Sequence, residues 1–293
     1  MNALNRALTA LFDAVLTPLE YFGHATALIV VSAIFGVLAL LVFKHISWQK
    51  GIAASKDRIK AHMIEIRLYQ DDLVVVASAV TKVVLRNLQY LSLNFGPIVP
   101  LAIPFMFVSA QFVVRYAYDP LPLATPGAVV RAGSGTLLSI ELTREHGGDL
   151  KDLRDVLPAG LKAVSPLVRV PGERKAFQEF VAVEPGTHAI QLEIGGTHET
   201  KLVVAGSAPT RTMQPRRVSS SDWLAVTDSD RWPVLWPAEP AFSSDSPFRV
   251  VSIAYPAHEL AWFPDGEMGI LLAIVLASML FGAVALKPLG VQI

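Results

Sequence analysis

Three uncharged apolar runs constrain this chain more than any other feature of its sequence. They are Ala25–Phe43, Gly96–Val114 and Met268–Leu286, each 19 residues long and free of Asp, Glu, Lys and Arg. A helix of that length spans about 30 Å, which is the thickness of the hydrocarbon core of a bilayer. Buried helices of water-soluble domains are usually shorter and carry a polar stripe. The runs therefore predict an α-helical membrane protein with three transmembrane helices and a polar insert.

Composition and motifs exclude several classes of function. The formal net charge is zero, so the overall charge gives no reason to expect a nucleic-acid partner. Cysteine is absent, which excludes disulfides, thiolate catalysis and cysteine-ligated metals. The seven histidines form no helical zinc motif, and no nucleophile elbow or phosphate-binding glycine loop occurs. We therefore expect no enzyme, no cofactor and no metal site.

The distribution of charge predicts the orientation in the membrane. Residues 44–95 carry eight basic and four acidic side chains, a balance of +4, whereas residues 115–267 carry 15 basic and 19 acidic ones, a balance of −4. The positive-inside rule places the short basic loop in the cytoplasm, and Lys287 favours a cytoplasmic tail at 287–293. The N-terminus and the long polar segment are then expected outside the inner membrane of a bacterium. Residues 1–24 lack the pattern of a removable signal peptide, so the first run is the expected targeting signal.

Two segments beside the runs are predicted to be helical. Residues 1–24 contain an amphipathic helix, which either lies flat at the membrane surface or packs on the protein's own domain. Residues 44–95 are predicted to form a cytoplasmic helical hairpin, broken at Gln70-Asp71-Asp72, where the two acids are expected to end a helix. Its second arm runs from Leu73 to about Leu91. Its first arm carries a sparse coiled-coil-like stripe, formed by Ile52, Ile59, Met63 and Ile66.

Strand patterns fill the segment after an expected extended linker at 115–125. Residues 126–206 contain short, partly alternating runs bounded by glycine and proline turns, which favour an all-β, immunoglobulin-like sandwich. Gly195-Gly196 predicts a tight hairpin, across which His188 and His198 are placed to face each other as an exposed pair. The expected strands are Thr136–Thr143, Lys175–Val183, His188–Ile194 and Glu199–Val204.

The following residues, 207–267, are expected to form an irregular but ordered wrap and a last strand, Phe248–Tyr255. Order is expected because three tryptophans are unusual in a flexible linker. They are Trp223, Trp232 and Trp236. Arg216-Arg217 is expected to be a solvated basic spot, while Trp262 and Phe263 suit the outer membrane interface.

The order of these segments resembles the YidC/Oxa superfamily of membrane insertases in its reduced three-span form. Asn87–Phe112 carries the closest likeness, because it runs from the end of the hairpin through small residues and prolines into an apolar span. Lys56–Asp72 is similar to the charged hairpin of the family, and the likeness covers about residues 3–115 together with the third run. The resemblance implies a water-accessible groove that helps polar flanks cross hydrocarbon, where one charge costs about 2.5–3.5 kcal/mol.

The resemblance also indicates which residues are candidates for the groove. They are Lys44, His45, Lys82, Arg86 and Gln111. Many bacterial family members keep an arginine within the first span, whereas Ala25–Phe43 offers only Thr26 and Ser32 as polar side chains. The alternative role of the cations is anchoring at the membrane edge, with their stems along the hydrocarbon. For the glutamine the alternative is a hydrogen bond between helices.

The sequence leaves competing functions open. The first is an insertase-like or chaperone-like protein in a lipid bilayer, acting on membrane-protein substrates. The second is a structural or accessory subunit of a larger membrane complex, which docks on partner subunits through its β-domain. A third is a carbohydrate or peptide receptor, which predicts an aromatic-lined cleft in the β-domain.

Overall fold

The computed structural model describes residues 2–291 except 126–130, 132, 208–211, 223–230 and 261–262, so Trp223 and Trp262 lie outside the described residues. The chain divides into two compact units. The first unit consists of Met1–Thr26 and Met106–Ala273, and the second of Ala27–Phe105 and Ile274–Ile293.

The predicted helices are present. They are α1 (Asn2–Glu20), α2 (His24–Ile46), α3 (Gln49–Leu68), α4 (Leu73–Phe95), α5 (Ile98–Tyr116) and α6 (Gly266–Leu289). Three helical stretches are long and apolar enough to cross a membrane, namely α2, α6 and the 44 residues Leu73–Tyr116, which contain α4 and α5. The described residues thus contain three candidate membrane spans, as the sequence predicts. Within the second, α5 begins at Ile98, two residues after the start of the apolar run at Gly96, because Pro97 suits the entrance to a helix rather than its interior.

A small core and one close helix contact hold the second unit together. The core contains Leu40 and Phe43 from α2 and Ile52 from α3, with Tyr90 of α4 packed against them. Gly36 of α2 lies so close to α6 that an added Cβ would be 2.2 Å from the backbone oxygen of Ser278. A side chain at position 36 therefore does not fit without moving one of the two helices.

The hairpin of α3 and α4 differs from its prediction in two details. Asp72 begins α4 rather than ending a helix, because its carboxylate accepts hydrogen bonds from the backbone N–H groups of Val74 and Val75, at 3.0 and 3.2 Å. Met63 was expected in the apolar seam of α3 but is 58% exposed. The seam instead alternates steps of three and four residues, and it follows Ile52, Ser55, Ile59, His62 and Ile66.

The first unit contains the β region. Its strands are β1 (Thr136–Leu142), β2 (Arg154–Val156), β3 (Leu161–Ala163), β4 (Val168–Val170), β5 (Lys175–Ala182), β6 (Gly186–Ile194), β7 (Thr197–Ala205), β8 (Arg216–Val218) and β9 (Phe248–Ile253). The five long strands were predicted, whereas β2, β3, β4 and β8 were not. Three-residue strands carry too little alternation to be recognised from sequence.

The strands form two antiparallel sheets around one apolar core. The larger sheet has the order β3-β5-β1-β9-β8, with β4 also paired to β5, and the smaller has the order β2-β6-β7. Both contribute fully buried side chains to the core, including Ile140 of β1, Phe180 of β5, Leu192 of β6 and Val203 of β7. Each such side chain contributes about 1.5–3 kcal/mol when it leaves water.

The predicted hairpin between β6 and β7 is confirmed, but its histidines do not face each other. Gly195 and Gly196 both have positive φ angles, 56° and 81°, as a two-residue hairpin turn requires. The turn pairs Ile194 with Thr197, so that His198 lies opposite Glu193 and His188 lies opposite Val203. The expectation of a facing histidine pair is therefore wrong.

The chain between α5 and β1 is extended and contacts the β region. Leu121 is 1% exposed and bridges Ala205 of β7. Beside it, Tyr118 bridges Ala257, on the segment that leads into α6. Hydrogen bonds between Asp119 and Pro256 and between His258 and Ala117 join the same two segments. The chain leaving α5 and the chain entering α6 therefore run side by side.

Candidate functional site

The most unusual surface of the second unit is an apolar face along the whole of α4. Its large side chains are each at least 43% exposed, although they are apolar. We call this surface the α4 face, and it consists of Leu73, Val74, Val80, Val84, Leu85, Leu88, Leu91 and Phe95. Contiguous apolar surface of this extent marks a binding site for protein or lipid.

The opposite side of α4 is already used by α3. Ala79 is fully buried, and Val76 and Val83 are partly buried at helical spacing beside it. A hairpin that is surrounded by water carries polar residues on the side away from its seam. Because α4 is apolar on both sides, the α4 face is left for something other than α3.

The tip of the hairpin extends this surface. Leu68 and Tyr69 at the end of α3 are 70% and 51% exposed, and Leu73 at the start of α4 is 81% exposed. The connection at the tip is short, because Asp72 caps α4 directly after the turn. The apolar surface thus reaches the end of the hairpin.

Lys82 and Arg86, two of the predicted groove residues, lie together one helical turn apart on α4. The Nζ atom of Lys82 is 3.7 Å from a carboxylate oxygen of Glu65 on α3. Arg86 donates to the side-chain oxygen of Gln89 at 2.7 Å. A hydrogen bond from His62, with help from Lys82, holds the pKa of Glu65 below its usual value. Exposed pairs of this kind contribute little stability. The two cations lie on the side of α4 that faces α3, across the helix from the α4 face.

Lys44 and His45 lie at the end of α2 and have local partners. Lys44 donates to the backbone oxygen of Leu289 at 2.6 Å, near the end of α6. A lysine in this position satisfies a carbonyl that the helix leaves free. The Nδ1 atom of His45 is 2.8 Å from the backbone oxygen of Leu41, one turn earlier.

Gln111, the remaining predicted residue, is placed in the first unit and is 1% exposed. Its amide nitrogen donates to the hydroxyl of Thr9 on α1 at 3.1 Å, and its oxygen accepts from Arg115. Arg115 also lies 2.5 Å from the carboxylate of Asp13. Gln111 therefore makes a hydrogen bond between helices, in a buried polar cluster that joins α1 to the end of α5. The sequence analysis missed Arg115, and its charge in the last turn of an apolar helix is the feature that could have indicated this cluster.

The β region contains a second buried polar cluster, which the sequence did not suggest. Lys201 of β7 is fully buried and donates to the carboxylate of Glu239 and to the backbone oxygens of Leu202 and Gln214. Burial lowers the pKa of Lys201, and the charge of Glu239 acts against this shift. Lys201 occupies one of the alternate positions of β7 that face the interior. This alternation is the sequence feature that could have indicated its burial.

Arg217 belongs to this cluster and corrects the expectation of a solvated basic spot. It is 7% exposed, lies 3.0 Å from the carboxylate of Glu199 and donates to the backbone oxygen of Pro240 at 2.7 Å. Its guanidinium also stacks 4.1 Å above the centre of the Phe242 ring. The wrap is thereby fastened to β7 by charged side chains whose hydrogen bonds are made within the protein.

One small polar cleft lies on the larger sheet. It has a volume of about 190 Å³ and is lined by Ser139, Glu141, Lys175, Arg216, Arg231, Val250 and Ser252. Glu141 lies 3.3 Å from Arg231 and 3.5 Å from Arg249, so its carboxylate is paired with cations. Its lining contains no aromatic side chain among the described residues, so it is not the cleft that a carbohydrate or peptide receptor predicts.

Comparison of the chain with protein-family models, with curated proteins and with solved structures found no match. In the part of the chain that the structure describes, no group of three or more His, Asp or Glu side chains is placed to hold a metal ion. A function is therefore inferred from two features, the exposed apolar surface of α4 and the buried polar clusters of the β region.

Proposed function

We propose that this chain is an insertase-like or chaperone-like integral membrane protein, which receives apolar segments of other membrane proteins during their insertion or assembly. The observation that carries the proposal is the α4 face. Its 23-residue helix is about 34 Å long, close to the length of a transmembrane helix. An apolar surface of that length, left uncovered by the chain itself, is suited to bind one membrane segment side by side.

The cations of α4 suggest how a segment would be oriented. Lys82 and Arg86 lie across the helix from the α4 face, on the side toward α3, and their charge would attract acidic residues that flank a substrate segment. From α4 the chain leads directly into α5, where Pro104 removes one hydrogen bond of the backbone ladder. A segment held on α4 would thus be delivered to a span with a weakened ladder. No bond is made or broken in such a process.

We place the three candidate spans in the inner membrane of a bacterium. The hairpin and the C-terminal tail would lie in the cytoplasm, because residues 44–95 carry eight basic and four acidic side chains. The N-terminus and the β region would lie outside. Two antiparallel sheets around one core support an immunoglobulin-like arrangement of the β region. The resemblance to the YidC/Oxa superfamily supports the same reading of the helices.

A second candidate function is that of an accessory subunit of a larger membrane complex. The closed polar clusters of the β region favour it, because a rigid domain whose charges are satisfied internally suits docking better than chemistry. In this case the α4 face would be covered permanently by one partner helix. The two functions therefore differ in how many different proteins contact α4.

Crosslinking from α4 in growing cells tests the two functions. A photo-crosslinker at Leu88, which is 58% exposed on the α4 face, should capture many different nascent membrane proteins. The control is the same crosslinker at Arg58, on the exposed charged side of α3, which should capture few. One fixed, stoichiometric product would establish the accessory subunit instead. Equal products from both positions, or none, would overturn both proposals for α4.

The cations are tested in the same experiment. Reversal of both charges, in Lys82→Glu with Arg86→Glu, should reduce the capture of segments with acidic flanks and leave the capture of others unchanged. The neutral pair Lys82→Gln with Arg86→Gln should have an intermediate effect. Uniform capture in all three proteins would show that the cations serve only as anchors at the membrane edge.

A further inference from the structure

The N-terminal helix α1 packs on its unit through a side that contains both polar and apolar residues. Asn5 is 3% exposed and donates to the backbone oxygen of Pro233 at 3.1 Å. The side chain of Asn2 forms two hydrogen bonds with the backbone of Ala241, at 3.0 and 3.3 Å. Leu8, Phe12 and Leu19 are partly buried on the same side, so polar and apolar contacts together hold α1 on its unit.

The contacts of α1 with the end of α5 are both polar and apolar, and the ring of Phe12 lies edge-on to that of Phe112. Besides the ion pair of Asp13 with Arg115, the hydroxyl of Tyr116 donates to the carboxylate of Glu20 at 2.8 Å. Apolar contact is added by Leu16, which is 1% exposed. These bonds fix the rotation of α1 about its axis, because each requires a particular side of the helix to face α5.

This rotation turns an apolar stripe of α1 outward. Its large members, Leu4, Leu11, Val15 and Phe22, are between 41% and 72% exposed. The residues between them on the same side are small or apolar and are exposed as well. We call this surface the α1 stripe, and it consists of Leu4, Ala7, Leu11, Ala14, Val15, Pro18 and Phe22. It contains no charged side chain.

Within the first unit, α1 lies next to the first residues of α2 and the end of α5. Only Tyr21, Phe22 and Gly23 separate the end of α1 from the start of α2. On its other side, α1 is bonded to Gln111, Arg115 and Tyr116, which lie within about 9 Å of the end of α5. If α2 and α5 cross a bilayer, α1 lies where both of them leave the hydrocarbon.

We propose that the α1 stripe lies in the lipid surface, at the boundary of headgroups and acyl chains, and so attaches the β region to the outer face of the membrane. The inference rests on the proposed insertion of the spans. Lipid fits the stripe because the stripe is uncharged and lies at the level of the surface. Tyr21 and Phe22, 88% and 72% exposed at the junction with α2, are residues that favour this boundary. Through Asn2 and Asn5, α1 then holds the wrap of the β region close to the bilayer.

Fluorescence quenching in vesicles tests the proposal, and the absence of cysteine allows single labels without other changes. An environment-sensitive fluorophore is attached to Leu11→Cys or Val15→Cys in the full chain, in phosphatidylcholine vesicles with few chains per vesicle. The control is Arg6→Cys on the polar side of α1. A label at Leu38→Cys in α2 reports on the span itself. The quencher is a phospholipid with a nitroxide near its headgroup or near the end of its acyl chain.

We expect the headgroup-proximal nitroxide to quench the labels at positions 11 and 15 at least about two-fold more strongly than the label at position 6. Equal quenching at the three positions, with the label at position 38 still quenched by the deep nitroxide, would overturn the inference alone. A label at position 38 that no lipid nitroxide quenches would overturn the insertion of the spans. If the labels at 11 and 15 are shielded from water but unquenched, and crosslink to a second chain, the α1 stripe binds protein rather than lipid. This result would also overturn the inference.

Discussion

The β region and the helical hairpin distribute their polar and apolar residues in opposite ways. In the β region Lys201 and Glu239 are buried and bonded to each other, and the apolar side chains of both sheets share one core. In the hairpin the charges remain at the surface and the apolar side chains of the α4 face are exposed. The β region therefore buries its apolar side chains within itself, whereas the α4 face of the hairpin requires an apolar partner, protein or lipid, to cover it.

The first and largest effect is expected from breaking the closed cluster of the β region. Lys201→Met should lower the free energy of unfolding by about 3–5 kcal/mol, because it leaves the carboxylate of Glu239 buried without its cation. Thermal unfolding of the full chain in detergent, followed by tryptophan fluorescence, measures the loss. Removing both charges, in Lys201→Met with Glu239→Leu, should recover part of it.

The control for this prediction is Lys162→Met, which removes an exposed lysine of β3. Its melting temperature should stay close to that of the unchanged protein. If Lys201→Met and this control have the same melting temperature, the pair of Lys201 and Glu239 is not buried as described. The contrast between the β region and the hairpin would then be wrong.

The second effect concerns the packing of the spans. Gly36→Ala should cost about 1–3 kcal/mol, because the added Cβ would lie 2.2 Å from the backbone oxygen of Ser278. Gly282→Ala is the matched control, since its Cβ would lie at an ordinary 3.5 Å from the backbone oxygen of Gly36. Melting temperatures of the two variants in the same detergent measure the difference. Equal values would mean that α2 and α6 do not approach each other closely.

The sequence predicted the elements of the fold wherever a long periodic pattern was present. The uncharged runs, the hairpin and the five long strands were recognisable because their periods extend over many residues. Asp72 was expected to end the first helix of the hairpin, but it caps the second. A carboxylate at a break between two helices suits either position, so the pattern alone does not distinguish them. The prediction that His188 and His198 face each other is wrong, because the turn sets the register of β6 and β7. Residues at equal distances from the turn face each other, and the two histidines lie at different distances from it.

The candidate site was predictable only in part, because burial depends on contacts between distant segments. Lys82 and Arg86 were proposed as groove residues from the resemblance, and the structure places them one helical turn apart on α4. The helix that carries the α4 face was predicted, but the exposure of that face depends on which side α3 occupies. Arg217 was expected in water, and it is buried because Glu199 and Phe242 come from other strands and loops. No local pattern contains that information.

The third effect is smaller and depends on pH. Two backbone N–H groups, of Gly133 and Gly135, donate to the carboxylate of Glu179 at 2.9 and 2.6 Å and hold its pKa below the usual value. Because the folded pKa is the lower one, this contribution to stability is complete above the ordinary pKa of glutamate, about 4.3, and is lost as the pH falls through the folded value.

Glu179→Gln should therefore melt below the unchanged protein at neutral pH, and the gap should close in acid. Melting temperatures of both proteins across this pH range measure the gap. If the difference in melting temperature persists in acid, below the lowered pKa of Glu179, the charge of the carboxylate is not what stabilises its hydrogen bonds with Gly133 and Gly135. The β region would then rely less on its internal polar contacts than the comparison claims.

The smallest effect on stability is expected on the α4 face, and it is the sharpest test of the comparison. Leu88→Ser should change the free energy of unfolding by no more than about 0.5 kcal/mol, because the side chain is already 58% exposed. The same substitution at Leu192 of β6, which is fully buried, should cost several-fold more in the same melting experiment. Capture of membrane segments should respond in the opposite order, with loss in Leu88→Ser and little change in any Leu192→Ser protein that folds. A large loss of stability in Leu88→Ser would mean that the chain covers α4 itself, and the hairpin would then be as self-contained as the β region.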